Sequence, residues 1–423
     1  MSSRPIDVAV VGGGMGGLCA AIGLLKHPNL RVQIYEAAHQ FSEIGAGVAV
    51  GPNAQRALKL IGDSTEAAYL RLATHNKWEK HANTFFEYRM GMGEKEGELI
   101  VAPKNETGQA TVHRAKFLEE FIKLVPKEVC HFGKRLDRIE ELEGGRIRLH
   151  FHDASTAEAD CVIGADGIHS VVRKHLLGDD PAANAVFTGS VAYRGLVPME
   201  NAVAEIGEEF ATNSFIWCGD GASVTTYPVD EGKTFNIVAI NSSYEKWEGP
   251  SVVKADYSKI AHEFGGWGEH VTKIIKLLDT DETAAWSMWD MPPASTYCAR
   301  TIAMIGDAAH ACLPFQGQGA GQSIEDAFVI ESVLGLVEKP EELAYAFRAY
   351  DRIRRRRTQE VVKTSREMGE ILALRLPAIK NNLDAFKENV QWRMDWMWHR
   401  DVDGERREAE IVFNRLRKGQ SID

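Results

Sequence analysis

Glycines with the spacing Gly-x-Gly-x-x-Gly lie near the start of the chain, at Gly12, Gly14 and Gly17. They follow the apolar run 8–11 and precede small and apolar residues at helical spacing, which predicts a strand, a tight turn and a helix. Such a turn presents backbone N–H groups and a helix N-terminus to a pyrophosphate. A second predicted strand, 31–35, ends at Glu36, whose carboxylate can accept hydrogen bonds from ribose hydroxyls. Together these features predict a dinucleotide-binding site.

Two further turns carry an acidic residue after a predicted buried strand. The run 161–163 leads into Asp166, and the run 301–305 leads into Asp307. Asp307 therefore lies at the carboxyl end of a strand, where open α/β sheets bind ligands. Asp166 can accept from a hydroxyl or a backbone N–H, and on spacing alone a purely structural turn is an equal alternative. Arg114 lies near the start of a predicted helix, where it could contact a phosphate or lie on the surface, and the sequence favours neither alternative.

Glycine-dense and arginine-rich segments extend this pattern. Residues 43–53 predict backbone packed against a flat ligand, with a mobile loop as the alternative, and Asn53 is expected to cap the next helix. Residues 314–321 precede a helix expected from about Gln322, whose N-terminus favours negative charge. The arginine run 354–357 predicts a solvated or cofactor-side helix face, with a nuclear-localisation signal as the alternative.

Longer regions must position these residues. The region 5–60 predicts strands alternating with helices, as in a parallel sheet. The region 185–292 contains recurring strand-like runs separated by glycine-rich turns, which predicts an antiparallel sheet in a separate lobe. From 340 onward the pattern is helical and charged.

Composition excludes several classes of protein. A chain of 423 residues is long enough for two or three domains or one large two-lobed fold. The net charge of −11 argues against nonspecific nucleic-acid binding. Six scattered cysteines without a Cys-x-x-Cys pair predict reduced thiols, no metal site and an intracellular protein. The N-terminus lacks signal-peptide features, and no apolar stretch reaches about 18 residues, so we expect no transmembrane span and a cytoplasmic location.

Three ordered motifs point to a family. They are the glycine turn with Glu36, Gly-Ala-Asp-Gly at 164–167, and Ile-Gly-Asp-Ala-Ala-His at 305–310. Together they resemble the single-component FAD-dependent aromatic hydroxylases, or group A flavoprotein monooxygenases, over residues 5–360. Within that family the chain is most similar to salicylate hydroxylases and to fungal dearomatising phenol hydroxylases. The segments that carry this similarity are 44–48, 51–53, 192–195 and 226–229.

The resemblance implies an α/β fold class. A Rossmann-like FAD-binding domain of the para-hydroxybenzoate hydroxylase type is interleaved with an antiparallel-sheet substrate domain and followed by a helical C-terminus. The implied divisions are FAD-binding parts at 1–75, 105–184 and 293–360, substrate-sheet strands at 76–104, the substrate-binding sheet at 185–292, and C-terminal helices at 361–423.

The resemblance also implies which residues hold FAD. The glycine turn and Glu36 bind the AMP half, and Asp307 binds the ribityl chain. Asp166 belongs to a motif associated with FAD and nicotinamide binding. The backbone that faces the flavin pyrimidine belongs to Gly319, Ala320 and Gly321. The residues that lie along the cofactor are Val48, Ala49 and Arg114. The sequence has no second glycine fingerprint, which fits NAD(P)H as a transient cosubstrate.

Two residues of the predicted sheet are candidates for substrate contact. Arg194 and Tyr227 match, in local sequence and spacing, the arginine and tyrosine that hold a phenolate in the dearomatising enzymes. Arg194 can stabilise a phenolate or a carboxylate, and Tyr227 can donate to the phenolate oxygen. The alternatives are a salt bridge and a satisfied core tyrosine. Phe315 and Ser223 stand where many salicylate hydroxylases carry histidine.

The implied activity is hydroxylation of a small phenolic substrate with O₂ and NAD(P)H, through a flavin C4a-hydroperoxide. With salicylate, the ring loses CO₂ and becomes a catechol. With a resorcinol-type aldehyde or ketone, attack at a blocked carbon gives a dienone. A flavin-dependent reductase and a redox-regulatory protein on the same fold are further alternatives. We expect a monomer or homodimer.

Overall fold

The computed structural model describes residues 4–39, 47–379 and 382–422, which form two large sheets, smaller sheets and surrounding helices. The strands, in chain order, are β1 (Ile6–Val11), β2 (Leu30–Tyr35), β3 (Gly47–Ala49), β4 (Thr74–His75), β5 (Glu87–Met90), β6 (Leu99–Val101), β7 (Ala110–His113), β8 (Cys130–His131), β9 (Leu136–Glu141), β10 (Ile147–Phe151), β11 (Thr156–Ala159), β12 (Cys161–Gly164), β13 (Val186–Pro198), β14 (Phe215–Gly219), β15 (Ala222–Val229), β16 (Thr234–Asn241), β17 (Val252–Lys254), β18 (Ala284–Asp290), β19 (Cys298–Ala299) and β20 (Ile302–Met304). The helices are α1 (Met15–Leu24), α2 (Pro52–Ile61), α3 (Asp63–Leu70), α4 (Arg114–Ile122), α5 (Val171–Leu177), α6 (Met199–Ile206), α7 (Glu208–Thr212), α8 (Tyr257–Glu263), α9 (Glu269–Lys276), α10 (Asp307–His310), α11 (Gly319–Gly335), α12 (Leu343–Leu372), α13 (Leu383–Trp398) and α14 (Val402–Arg417).

The mainly parallel sheet has the strand order β19-β20-β12-β1-β2-β8. Strand β1 is buried along its whole length, as expected for a central parallel strand covered on both faces. The ends of neighbouring strands are joined by backbone bonds, from Ala165 N to Val11 O at 2.7 Å and from Ile305 N to Gly164 O at 2.8 Å. The three predicted turns therefore meet at one edge of this sheet.

The mainly antiparallel sheet has the order β17-β18-β13-β16-β15-β14-β5-β6. Arg194 is in register with Val238, and Val238 is in register with Thr225. Side chains alternate along a strand, so these three residues and Tyr227 share one face of the sheet. That face is turned toward the carboxyl edge of the mainly parallel sheet, because residues of both line one cavity.

The α/β fold class and the helical C-terminus are confirmed. Strands β5 and β6, between two parts of the mainly parallel region, join the antiparallel sheet, as the interleaved arrangement requires. The residue limits between domains stay predictions. The stretch 43–46 of the glycine-dense segment lies outside the described residues. Within the described ranges, no helix has the length and apolar character needed to cross a membrane.

Two expectations about helix starts are wrong. Asn53 does not cap α2, because Gly51 takes the N-cap position. The Asn53 side chain points inward and donates to Gln318 Oε1 at 3.0 Å and Glu325 Oε1 at 2.6 Å. Helix α11 begins at Gly319, three residues before the expected start. Asn53 turns inward because the start of α11 packs against α2 and supplies polar partners that a local sequence pattern does not contain.

The arginine run 354–357 is not simply a solvated or cofactor-side face. Arg354 is fully buried and donates to Glu325 Oε2 at 2.6 Å, to Asp326 Oδ1 at 2.8 Å and to Glu405 Oε2 at 2.5 Å. Arg357 Nε lies 2.9 Å from the same Glu325 oxygen. Burial of these charges is tolerated because each has several opposite partners. The ion cluster joins α11, α12 and α14.

Candidate active site

A cavity of about 710 Å³ lies between the two large sheets. Its wall includes most of the residues that the sequence selected as cofactor or substrate contacts. Those on the wall are Gly12, Gly14, Glu36, Val48, Ala49, Arg114, Asp166, Arg194, Tyr227, Asp307, Gly319 and Ala320. The fold therefore brings together residues from distant parts of the chain.

Two of the predicted FAD-binding glycines, Gly17 and Gly321, do not line the cavity. A Cβ atom at Gly17 would lie 2.1 Å from Gly12 O, so Gly17 allows the turn to close on the helix. A Cβ atom at Gly321 would lie 3.3 Å from Ala54 Cβ, so Gly321 allows α11 to approach α2. Both glycines serve close packing behind the cavity.

One end of the cavity suits an anion. Gly14 is the N-cap residue of α1, no side chain caps this helix, and its first turn has no acidic residue. A Cβ atom built on Gly14 meets nothing within 4 Å. Glu36 fixes the turn from the side, because its carboxylate accepts from Gly13 N at 2.6 Å and Ala38 N at 2.8 Å. Free helix-end N–H groups attract negative charge.

Asp166 organises the start of α5. Its carboxylate accepts from Ser170 Oγ at 2.5 Å and from Val171 N at 2.7 Å. Burial raises the pKa of Asp166, and these hydrogen bonds oppose that rise. The carboxylate thus has the structural role that spacing left open, while it also borders the cavity.

The turn that carries Asp307 is held from behind. Gly306 N donates to Asp326 Oδ2 at 3.0 Å, and His310 Nε2 lies 2.5 Å from the same oxygen. Asp307 itself is exposed to the cavity. Helix α11 begins beside this turn, again with no side-chain cap and no acidic residue in its first turn. A second helix N-terminus of positive character therefore borders the cavity.

Arg194 is a cation on the opposite wall. Its Nε is buried and has no hydrogen-bond partner in the described part of the chain. Its guanidinium carbon lies 5.1 Å from the ring centre of Trp286. Burial lowers the pKa of Arg194, the nearby Tyr227 acts in the opposite direction, and Arg114 adds to the lowering. Among the described residues no carboxylate pairs with Arg194, so the salt-bridge alternative has no support there.

Tyr227 lies next to Arg194 on the same face of the antiparallel sheet. Its hydroxyl donates to Gly47 O at 2.9 Å, and its ring meets the ring of Phe86 edge-on at 6.0 Å. Burial raises the pKa of Tyr227 to about 12, so the hydroxyl keeps its proton at neutral pH. In the structure this hydroxyl forms a hydrogen bond with the first residue of β3.

Several wall residues were not selected from the sequence. Gln109 is only 2% exposed, and neither atom of its side-chain amide has a partner in the described residues. The apolar wall residues not selected from the sequence include Phe85, Phe86, Ile216, Val238, Ile240 and Trp286. They come from the segment before β5 and from strands β14, β16 and β18, so no single local spacing reveals the whole set. The alternation along β14, β15 and β16 was the available signal for part of this set.

The cavity fits the predicted FAD. The open cradle at Gly14 and the two uncapped helix ends suit the phosphates and a polarised ring. The buried amide of Gln109 has no partner in the described part of the chain, and such an amide costs free energy unless a ligand supplies polar partners. These features are the ones that a dinucleotide cofactor satisfies.

Comparison with known proteins agrees with this geometry. The sequence profile of the family described as "FAD binding domain" matches residues 5–365. A 6-methylsalicylate 1-monooxygenase of Aspergillus terreus is 47% identical over 99% of this chain and 95% of its own length. A salicylate hydroxylase of Pseudomonas putida is 35% identical over 96% of this chain and 94% of its own. A solved salicylate hydroxylase substrate complex has a TM-score of 0.85 and 32% identity, covering 96% of this chain and 98% of that chain.

Proposed function

We propose, because this chain belongs to the FAD binding domain family of monooxygenases, that it hydroxylates a 2-hydroxybenzoate at the carbon that carries the carboxylate. FAD is its cofactor, and NAD(P)H is the cosubstrate typical of the family. When bound, FAD supplies the transfer of one oxygen atom from O₂ to an electron-rich ring after reduction by NAD(P)H.

The observation that carries this proposal is Arg194 on the cavity wall, whose buried Nε has no hydrogen-bond partner and whose guanidinium has no carboxylate partner among the described residues. A cation in such a position is costly unless an anion binds beside it. A benzoate carboxylate or a phenolate supplies that charge through charge-assisted hydrogen bonds. A 2-hydroxybenzoate carries both groups side by side.

The walls around Arg194 suit a flat ring with an apolar substituent. Phe86, Ile216 and Val238 are buried apolar residues on the cavity wall, and Trp286 covers the guanidinium. Such walls exclude water and orient a ring. The name of the Aspergillus terreus relative, a 6-methylsalicylate 1-monooxygenase, supports a methyl-substituted ring as substrate.

We assign Tyr227 to the substrate hydroxyl. Its hydroxyl donates a hydrogen bond to Gly47 O, so donation to a phenolate requires the hydroxyl to turn away from that carbonyl. Until it turns, the Tyr227 oxygen is an acceptor for a phenol proton. Binding of substrate is thus linked to strand β3, where Val48 and Ala49 are proposed FAD contacts.

We assign the remaining wall residues to FAD. The uncapped N–H groups at the start of α1 would hold the pyrophosphate, and the Glu36 carboxylate would bind the ribose. Asp307 would bind the ribityl hydroxyls, and the start of α11 would favour negative charge on the flavin ring. The other proposed FAD contacts are Gly12, Arg114, Asp166, Gly319 and Ala320. Gly17 and Gly321 support the site by close packing behind the wall.

The overall reaction balances with one O₂. The substrate ring gains a C–O bond at the carbon that bears the carboxylate, and the C–C bond to that carboxylate breaks. One oxygen atom enters the catechol and the other leaves as water, while the carboxylate leaves as CO₂. NAD(P)H supplies a hydride, and two protons are consumed.

The test is product identification with purified, FAD-loaded protein. NAD(P)H oxidation is measured with 6-methylsalicylate, salicylate, 4-hydroxybenzoate and a resorcinol aldehyde, and products are identified by mass. We expect 3-methylcatechol from 6-methylsalicylate. A dienone from the resorcinol aldehyde, with no turnover of either salicylate, would move the enzyme to the dearomatising group. No stimulation by any phenol would overturn the proposal and favour a reductase or redox-regulatory protein.

A further inference from the structure

Gly369 lies in the interior of α12 and is buried. A Cβ atom built on it would lie 2.5 Å from Phe315 Cε2, 2.9 Å from Cδ2 and 3.1 Å from Cζ. Glycine in a helix interior is less favourable than alanine, so a buried one needs a packing reason. Here the reason is that the ring of Phe315 occupies the space of the missing side chain.

The backbone that carries Phe315 is bound to the same helix. Phe315 belongs to the short turn Pro314–Gln316. Gln316 Oε1 accepts from Thr364 Oγ1 at 3.0 Å and from Ser365 Oγ at 2.9 Å, and both hydroxyls belong to α12. The turn therefore cannot move away from α12 without breaking two buried hydrogen bonds.

Phe315 also borders the cavity. The residue is 7% exposed and belongs to the same buried apolar cluster as Phe86 and Val238, which line the proposed substrate end of the cavity. A methyl group at position 369 would force the ring edge to move by about 1 Å to regain ordinary contact. That movement takes volume from the cavity.

We propose that Gly369 sets the size of the ring substituent that the cavity accepts, by letting Phe315 withdraw toward α12. Gly369 is a positioning residue, since it acts through Phe315 and does not border the cavity. The inference rests on the proposed function, because it concerns the substituent of a 2-hydroxybenzoate.

The experiment compares wild type, Gly369→Ala and the double variant Gly369→Ala/Phe315→Leu. Dissociation constants of salicylate, 6-methylsalicylate and 6-ethylsalicylate are measured from the change in flavin absorbance of the loaded enzyme. Tighter packing by one methyl group is expected to weaken 6-methylsalicylate roughly tenfold more than salicylate. The smaller leucine is expected to restore the wild-type ratio.

The control is Gly23→Ala, another buried helical glycine. Its Cβ would lie 2.7 Å from Glu331 Cγ, and Gly23 is not on the cavity wall. We expect a lower Tm with an unchanged ratio of the two dissociation constants. A purely structural role of Gly369 predicts this same pattern for Gly369→Ala.

The outcomes separate the two proposals. If wild type binds no salicylate, the proposed function fails. If wild type binds both salicylates and Gly369→Ala weakens them equally, or leucine does not restore the ratio, the inference is overturned. If Gly369→Ala does not fold, Phe315→Leu alone decides. We then expect 6-ethylsalicylate to gain relative to salicylate, and an unchanged ratio overturns the inference.

Discussion

Replacement of Arg194 by methionine separates binding from stability. Methionine keeps much of the apolar stem and removes the guanidinium. In the described part of the chain, Arg194 has no carboxylate partner, and its Nε is buried without a hydrogen bond. Among the described residues, its loss therefore leaves no anion behind. The contact with the Trp286 ring, 5.1 Å from the guanidinium carbon, is removed.

The structure sets the size of both effects. Hydrogen bonds to charged groups contribute about 1.5–3 kcal/mol, and about 1.4 kcal/mol corresponds to tenfold. The dissociation constant of 6-methylsalicylate should therefore rise roughly 10- to 150-fold. Burial lowers the pKa of Arg194, which means that the folded protein disfavours its charged form. Removing that charge should leave the Tm of the ligand-free protein equal or higher.

The assay pairs a flavin-absorbance titration with thermal unfolding. Arg366→Met is the matched control, because Arg366 donates to fully buried Asp290 at 2.7 and 3.0 Å and is not on the cavity wall. That variant leaves a buried carboxylate unpaired, so its Tm should fall while ligand affinity stays unchanged. If Arg194→Met instead lowers the Tm as Arg366→Met does and leaves affinity within threefold, Arg194 is structural and our reasoning is refuted.

Three further results are expected. Gly14→Ala should weaken FAD binding at least roughly tenfold without changing the Tm of the apoprotein, because the added Cβ meets no protein atom within 4 Å. Gly12→Ala should instead lower the Tm, because its Cβ would lie 2.2 Å from a backbone oxygen. Equal effects of the two variants on FAD affinity, measured by fluorescence titration, and on thermal unfolding would contradict this. Tyr227→Phe should lower the free energy of unfolding in urea by about 1 kcal/mol, because the hydrogen bond to a carbonyl is lost. Between pH 6 and 10 the pH dependence of kcat should match that of wild type, because burial raises the pKa of Tyr227 to about 12. An ionisation in that pH range that is present in wild type and missing from the variant would count against the assignment. Burial raises the pKa of Glu325, but two adjacent guanidinium groups outweigh burial and hold the pKa below its ordinary value of 4.5. The ionised Glu325 therefore stabilises the fold fully above pH 4.5, and this stabilisation should be lost as the pH falls further. Equal free energies of unfolding in urea at pH 5 and pH 3 would contradict this.

Local sequence was sufficient for part of the site. The glycine turn, Glu36 and Asp307 follow apolar strands directly, and neighbouring parallel strands end at one edge. A short pattern therefore contains both the element and the position of these residues. Asp166 was only half determined by its spacing, because its bonds to Ser170 and Val171 form within the turn itself.

Other features of the site depend on residues that are far apart in the sequence. That Arg194 has no carboxylate partner among the described residues is a property of its surroundings, which no local sequence pattern contains. The unpaired amide of Gln109 and the inward turn of Asn53 depend on helices and loops far away in the chain. Arg354 looked like part of a charged surface run, and only the packing of α11, α12 and α14 buries it.

The most direct test of the central claim follows the atoms of the substrate. Wild-type enzyme is given 6-methylsalicylate labelled with ¹³C in its carboxylate, together with NAD(P)H and ¹⁸O₂. Decarboxylative hydroxylation predicts one ¹³CO₂ for each 3-methylcatechol, with one ¹⁸O atom in that catechol. Oxidation of NAD(P)H that yields only hydrogen peroxide, or a hydroxylated product that keeps its ¹³C label, would contradict the claim.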